Sequence, residues 1–204
     1  NWNAENALML KQVILQIDPT RPVTAAINDN WYSRFGTLLD VYGINYHSKN
    51  YEEFHNNMPD AVLIASETAS TVTDRGMYAV SKGESYVPAY DLKHPSWGDT
   101  AENGWKAVAS KNYIIGAFVW TGFDYLGEPT PFRWPNINSH FGVIDRAGFE
   151  KDLFYYYQAV WQDDNEMVHV FPHWNWKPKQ KVEVWVYSSG DEVELFVNGH
   201  SQGR

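Results

Sequence analysis

The chain has 204 residues, with 25 acidic against 16 basic side chains and a formal charge of −9. No Lys- or Arg-rich patch is present, which excludes nucleic acid as a partner, because phosphate binding needs clustered cations. There are no cysteines, so disulfides and thiolate metal sites are excluded too. No apolar run approaches the ~20 residues of a membrane helix. The chain begins at Asn1 without Met, as the interior of a longer protein would.

Aromatic residues make up 16% of the chain: 10 Trp, 13 Tyr and 10 Phe. Some fill the core. Many stand beside Gly, Pro, Asn and His in loop-like stretches. There they suit a ligand cleft, since the apolar C–H faces of sugar rings stack on flat aromatic rings.

In chain order, Ala4 to Ile17 reads as a helix, with Ala7, Leu10, Ile14 and Ile17 on one face. Asp18 to Pro22 ends it, because prolines cannot continue a helix. Val23 to Ala26 is a short strand, and a weak helix covers Trp31 to Leu39. Val41 to His47 is a second strand. Tyr51 to Asn57 is a short helix, closed by Pro59. Ala61 to Ser66 is a third strand, apolar enough to be buried on both faces. It runs into Glu67 among small polar residues.

Residues 68–100 lack periodicity. Loops of that length in compact domains are usually functional. Ala101 to Ser110 is helical, with Trp105 and Val108 inward. Ile114 to Trp120 is a fourth strand. Gly122 to Phe141 is a second long, Pro-rich loop, and Phe141 to Asp145 a strand-like return. Lys151 to Trp161 is a helix.

Beyond Trp161 the period changes to two. Met167 to Phe171, Val182 to Tyr187 and Val193 to Val197 read as short strands. Ser188 to Asp191 reads as a hairpin turn, and Asn198-Gly199 as another. The fold class is therefore α/β with a parallel sheet over residues 1–162, followed by the start of an antiparallel β-domain over 163–204. Four βα strands are half of an eight-stranded barrel. The preceding four units are expected to be missing from this chain or supplied by another.

In a barrel, the C-terminal strand ends crowd around one axis and carry the chemistry. Glu67, Tyr46 and Trp120 all fall at or near such ends. A carboxylate, a phenol and an indole there suit a sugar site. The structural alternatives are a solvated loop acid at Glu67 and a core indole at Trp120. His47, His55, His94 and His140 show no paired metal-ligand spacing and read as structural or rim residues.

At these residues the sequence resembles glycoside hydrolase family 2, nearest the β-galactosidases of bacterial polysaccharide degraders. The segments that carry the resemblance are Asp18-Pro19-Thr20-Arg21-Pro22-Val23-Thr24, Val41-Tyr42-Gly43-Ile44-Asn45-Tyr46, Ala65-Ser66-Glu67 and the run from Gly116 to Pro129. The tail, Val182 to Tyr187 and Glu192 to Gly199, resembles the immunoglobulin-like domain that follows the family's barrel. The resemblance implies the C-terminal half of a TIM barrel followed by the start of a β-sandwich.

It implies Glu67 as the nucleophile of a retaining mechanism on the seventh strand, Tyr46 beside it, and Trp120 under the sugar on the eighth. Asp124 and Glu128, in the loop that follows, are candidates for sugar binding. Ser70 stands where some members have a histidine. The family's acid/base, a Glu after an Asn on the fourth strand, has no counterpart here. It is expected upstream of Asn1, as are the ligands of the family's divalent cation, so no metal or cofactor is expected within this chain.

The expected partner is a carbohydrate, a β-galactoside or polysaccharide, with self-association left open. A glucuronide or mannoside specificity is the alternative within the family. A non-catalytic carbohydrate-binding or scaffold module is the alternative outside it. The compartment stays open, with the periplasm or exterior favoured over the cytoplasm for a polysaccharide degrader.

Overall fold

Four parallel strands carry the first half of the protein, in the order β1 (Thr24–Ile27), β2 (Val41–Asn45), β3 (Leu63–Ala69), β4 (Ile114–Trp120). The computed structural model describes residues 4–162 and 164–204. Chain order and spatial order coincide because each strand returns through a helix or loop on its way to the next. The intervening helices are α1 (Ala4–Ile17), α2 (Arg34–Thr37), α3 (Tyr51–Asn57) and α4 (Ala101–Ala109).

All five residues of β2 are buried, as expected of a strand inside a parallel sheet. Ile27, Tyr42, Ile44, Leu63, Ala65 and Ile114 of the strands pack with Tyr51 and Phe54 of α3 and Val108 of α4. Trp105 joins this cluster half-buried, as its helical spacing requires. α4 starts where Thr100 caps it, its hydroxyl accepting from the Asn103 amide. Such a cap contributes about 1 kcal/mol.

The periodic helix α1 behaves differently from its pattern. None of its residues is buried, and Ile17 is 82% exposed. Lys11 ties it down instead, donating to Leu38 O and Asp40 Oδ1. On β4, Ile115 and Phe118 are each 63% exposed, so apolar surface remains open on the sheet as well.

α5 (Asp152–Trp161) precedes the antiparallel pairs β5 (Val168–Phe171) with β6 (Trp185–Ser188), and β7 (Phe196–Val197) with β8 (His200–Ser201). Asn198 and Gly199 both have positive φ, which two-residue hairpin turns require and these residue types tolerate. The turn at Ser188 to Asp191 is a correction. It does not join paired strands, because β6 pairs back with β5.

Two compact units emerge. One runs up to Thr71 and includes Leu92–Thr121; the other comprises Val72–Asp91 and Gly122–Arg204. The long Pro-rich loop and α5 thus group with the antiparallel strands rather than with the parallel sheet, which differs from the expected boundary at residue 162. Asp163, at that boundary, lies outside the described residues. No described helix is long and apolar enough to cross a membrane.

Candidate active site

Parallel pairing delivers three of the expected residues to one edge of the sheet. Asn45, the last residue of β2, is in register with Glu67, and Ala69 is in register with Trp120. Glu67 does not follow β3 but lies inside it, two residues before its end. The Tyr46 amide donates to the Glu67 carbonyl at 2.7 Å, which extends the pairing one step past β2. Glu67 is half-buried, and its carboxylate makes no hydrogen bond or ion pair among the described residues. Trp120, also half-buried, ends β4.

The backbone is unusual at this edge. Of the eight non-glycine residues with positive φ among those described, four are Tyr46, His47, Ala69 and Ser70, at 47–65°. Left-handed backbone costs side-chain-bearing residues about 1–3 kcal/mol each and persists only where surroundings enforce it. Here two strands turn sharply, one directly after β2 and the other at the end of β3. The ladder between β3 and β4 is also irregular between Ala65 and Thr68, which flank Glu67.

What holds the Ala69–Ser70 turn is the segment before α4. The Asp99 amide donates to Ala69 O at 2.7 Å, and the Thr71 hydroxyl donates to Asp99 O. Gly98 lies so close that a Cβ there would sit 2.5 Å from Ala69 O and 3.0 Å from the Ser70 Cβ. Only glycine allows this approach.

Ser70 is fully buried, and its Oγ lies 2.7 Å from the Tyr46 hydroxyl. The phenol is therefore anchored from beneath by a residue that the sequence offered only as a departure from a family pattern. Ser66 donates to the buried Asn45 Oδ1 at 2.7 Å and holds the neighbouring strand ends together. Small polar residues flanking Glu67 were the available signal for both, but their partners, 21 and 24 residues away, were not visible in sequence.

The second unit holds Asp124 and Glu128. Asp124 is held inside the protein. Its side chain is 3% exposed, one oxygen pairs with Lys151 Nζ at 2.7 Å, and the other accepts from the Gly142 amide at 2.8 Å. Burial pushes the Asp124 carboxyl up and the Lys151 ammonium down, each opposed by the attraction between them. Lys151 also donates to Thr73 O at 2.6 Å. Glu128 is exposed and accepts from the Tyr125 hydroxyl, so it remains accessible.

Among the described residues no three His, Asp or Glu side chains converge as metal ligands.

The sequence and fold are similar to those of known proteins. The chain is 42% identical to beta-galactosidase BoGH2A of Bacteroides ovatus over 97% of its own length and 26% of that protein's. The chain belongs to glycoside hydrolase family 2. It is 30% identical to a putative beta-glucuronidase of Formosa agariphila, over 92% of this chain and 21% of that protein. It superposes on the crystal structure of a beta-glycosidase from Bacteroides vulgatus with a TM-score of 0.82 and 30% identity, covering 98% of this chain and 30% of that one. The family 2 chain thus spans between a fifth and a third of the length of these relatives. Residues 179–204 match a domain of unknown function, DUF4982.

Proposed function

We propose that this family 2 chain supplies the nucleophile half of a retaining β-galactosidase. The observation that carries the reading is the edge just described. Glu67, with no hydrogen bond or ion pair to its carboxylate among the described residues, stands at the C-terminal end of a parallel strand, with Tyr46 joined to its backbone and Trp120 two positions along the next strand. In this reading the four strands are the C-terminal half of a (β/α)8 barrel, and the exposed apolar residues of α1 and β4 pack against its other half. The antiparallel pairs begin an immunoglobulin-like domain.

A Glu67 oxygen attacks the anomeric carbon as the glycosidic C–O bond breaks, and the leaving oxygen takes a proton from a second carboxylic acid. Water then attacks the same carbon and returns the electron pair to Glu67, with net retention. The two carboxyl groups of a retaining pair stand about 5–5.5 Å apart. The described residues supply one of them, and the partner is assigned to the missing half. Trp120 floors the sugar ring, and Tyr46, fixed by Ser70, presents its phenol at the nucleophile's edge.

The substrate is read as a β-galactoside because the relative with 42% identity bears that name. The 30% relative favours a β-glucuronide as the second reading. Steady-state hydrolysis of nitrophenyl β-galactoside, β-glucuronide and β-mannoside by the full-length protein tests the choice, with the galactoside expected to be turned over fastest. A wholly different function, carbohydrate binding without catalysis, predicts no nitrophenol release from any of them. The 204-residue chain alone is expected to release none, since its described residues supply one carboxylate of the pair.

A further inference from the structure

We propose a second saccharide site in the unit formed by Val72–Asp91 and Gly122–Arg204: an aromatic cleft that takes one neutral pyranose ring of an oligosaccharide. The cleft has a volume of about 260 Å³ and is lined by Tyr78, Tyr90, Trp176, Gln180, Lys181 and Glu183. That is slightly below the ~300–1,000 Å³ of pockets for drug-sized ligands, which suits a single sugar ring.

The aromatic walls are fixed before any ligand arrives. The Tyr78 hydroxyl donates to Asp152 Oδ2 at 2.9 Å, and the other Asp152 oxygen lies 2.7 Å from His169 Nε2. The Tyr90 hydroxyl donates to Glu183 O at 2.8 Å. The two tyrosine rings meet edge to face at 5.7 Å. Trp176 stacks on His173 at 4.9 Å, with its Nε1 donating to His173 O. The phenol and indole polar groups are thus spent inside the protein. Tyr78 and Trp176, both half-buried, leave ring surface for a ligand, which suits the C–H face of a pyranose, while Tyr90, only 7% exposed, backs them.

The polar side is the reverse. The side chains of Gln180, Lys181 and Glu183 make no hydrogen bond or ion pair among the described residues. Together they offer an amide, an ammonium and a carboxylate, which can both donate to and accept from vicinal hydroxyls. Among the lining side chains one is cationic and one anionic, which suits an uncharged hexose. Preformed ring walls lower the ordering cost of binding. All three polar residues fall within the 179–204 domain of unknown function, to which this assigns a role.

The proposal goes beyond the reaction at Glu67, and its test reads the two sites separately. Binding of cellotetraose and of β-1,4-galactotetraose is measured by calorimetry on full-length protein carrying Glu67→Gln. Hydrolysis of nitrophenyl β-galactoside is measured without that change. Trp176→Ala and the surface triple variant Gln180→Ala/Lys181→Ala/Glu183→Ala are each expected to weaken tetrasaccharide binding at least 10-fold, with aryl-glycoside kcat/KM held within twofold. The triple variant keeps the test open should Trp176→Ala fail to fold. Tetrasaccharide affinity unchanged by the triple variant, or no measurable affinity in the parent, overturns the cleft. Loss of aryl-glycoside turnover in Glu67→Gln bears on the nucleophile alone.

Discussion

Lys151→Met isolates a buried ion pair that no ligand contact complicates. Methionine keeps most of the volume and removes the charge. Asp124 is then left with one amide donor, from Gly142, and a carboxylate 3% exposed. Thr73 O loses its 2.6 Å donor in the same step. Breaking one side of a buried pair costs roughly 3–5 kcal/mol, because the surviving charge keeps its desolvation penalty without its compensation. That is the expected drop in unfolding free energy of this unit at pH 7.5, read by urea titration with tryptophan fluorescence.

The pH dependence fixes the cause. Without Lys151, burial raises the Asp124 carboxyl further. A carboxyl that holds its proton more tightly when folded than when unfolded adds stability as pH falls through its folded pKa. Lys151→Met should therefore recover stability as the pH falls from 7.5 toward the ordinary carboxylate range. Asp124→Asn leaves a buried ammonium, whose pKa burial lowers, so that variant should recover as pH rises. Asp124→Leu/Lys151→Met should lie nearer wild type than either single change. Single-variant losses below about 1 kcal/mol, or pH dependences of the same sign, would refute this reasoning.

Three further outcomes are expected. Glu67→Gln should lower kcat of the full-length protein on aryl β-galactosides on the order of 10⁴-fold or more, the scale for losing a covalent nucleophile, measured as initial rates. Ser70→Ala removes one anchor of the Tyr46 phenol, worth about 0.5–1.5 kcal/mol, so kcat should fall about 3–10-fold with little change in melting temperature, and Ser70→Thr should restore part of it. Gly98→Ala drives a Cβ to 2.5 Å from a backbone carbonyl and should destabilise the protein by about 1–3 kcal/mol in thermal melts.

The parallel sheet was legible because its strands alternate with helices at regular spacing, and α1, α3 and β4 have the bounds their patterns imply. β3 runs further than its apolar stretch because backbone pairing from Asn45 and Tyr46 takes Glu67 into the ladder, a force indifferent to side-chain polarity. α2 shrinks to four residues around Gly36, where helix propensity is weak. The exposure of α1 was invisible, since periodicity names an apolar face but not its cover. The placement of Glu67, Tyr46 and Trp120 near strand ends was legible from the strand pattern. The left-handed turns and the Ser70 anchor were not, because Ala69 and Ser70 carry no glycine-like signature. The pairing of Asp124 was not legible, since its partner Lys151 lies 27 positions on and meets it only through folding.

The central claim is that the Glu67 carboxylate forms the covalent bond to the sugar. A 2-deoxy-2-fluoro-β-galactosyl donor with a good leaving group traps such an ester, and peptide mass spectrometry of the full-length protein locates it. The account predicts one fluorosugar adduct on the peptide holding Ser66, Glu67 and Thr68, absent in Glu67→Gln. An adduct on any other residue, or turnover with inverted anomeric configuration and no adduct, would contradict it.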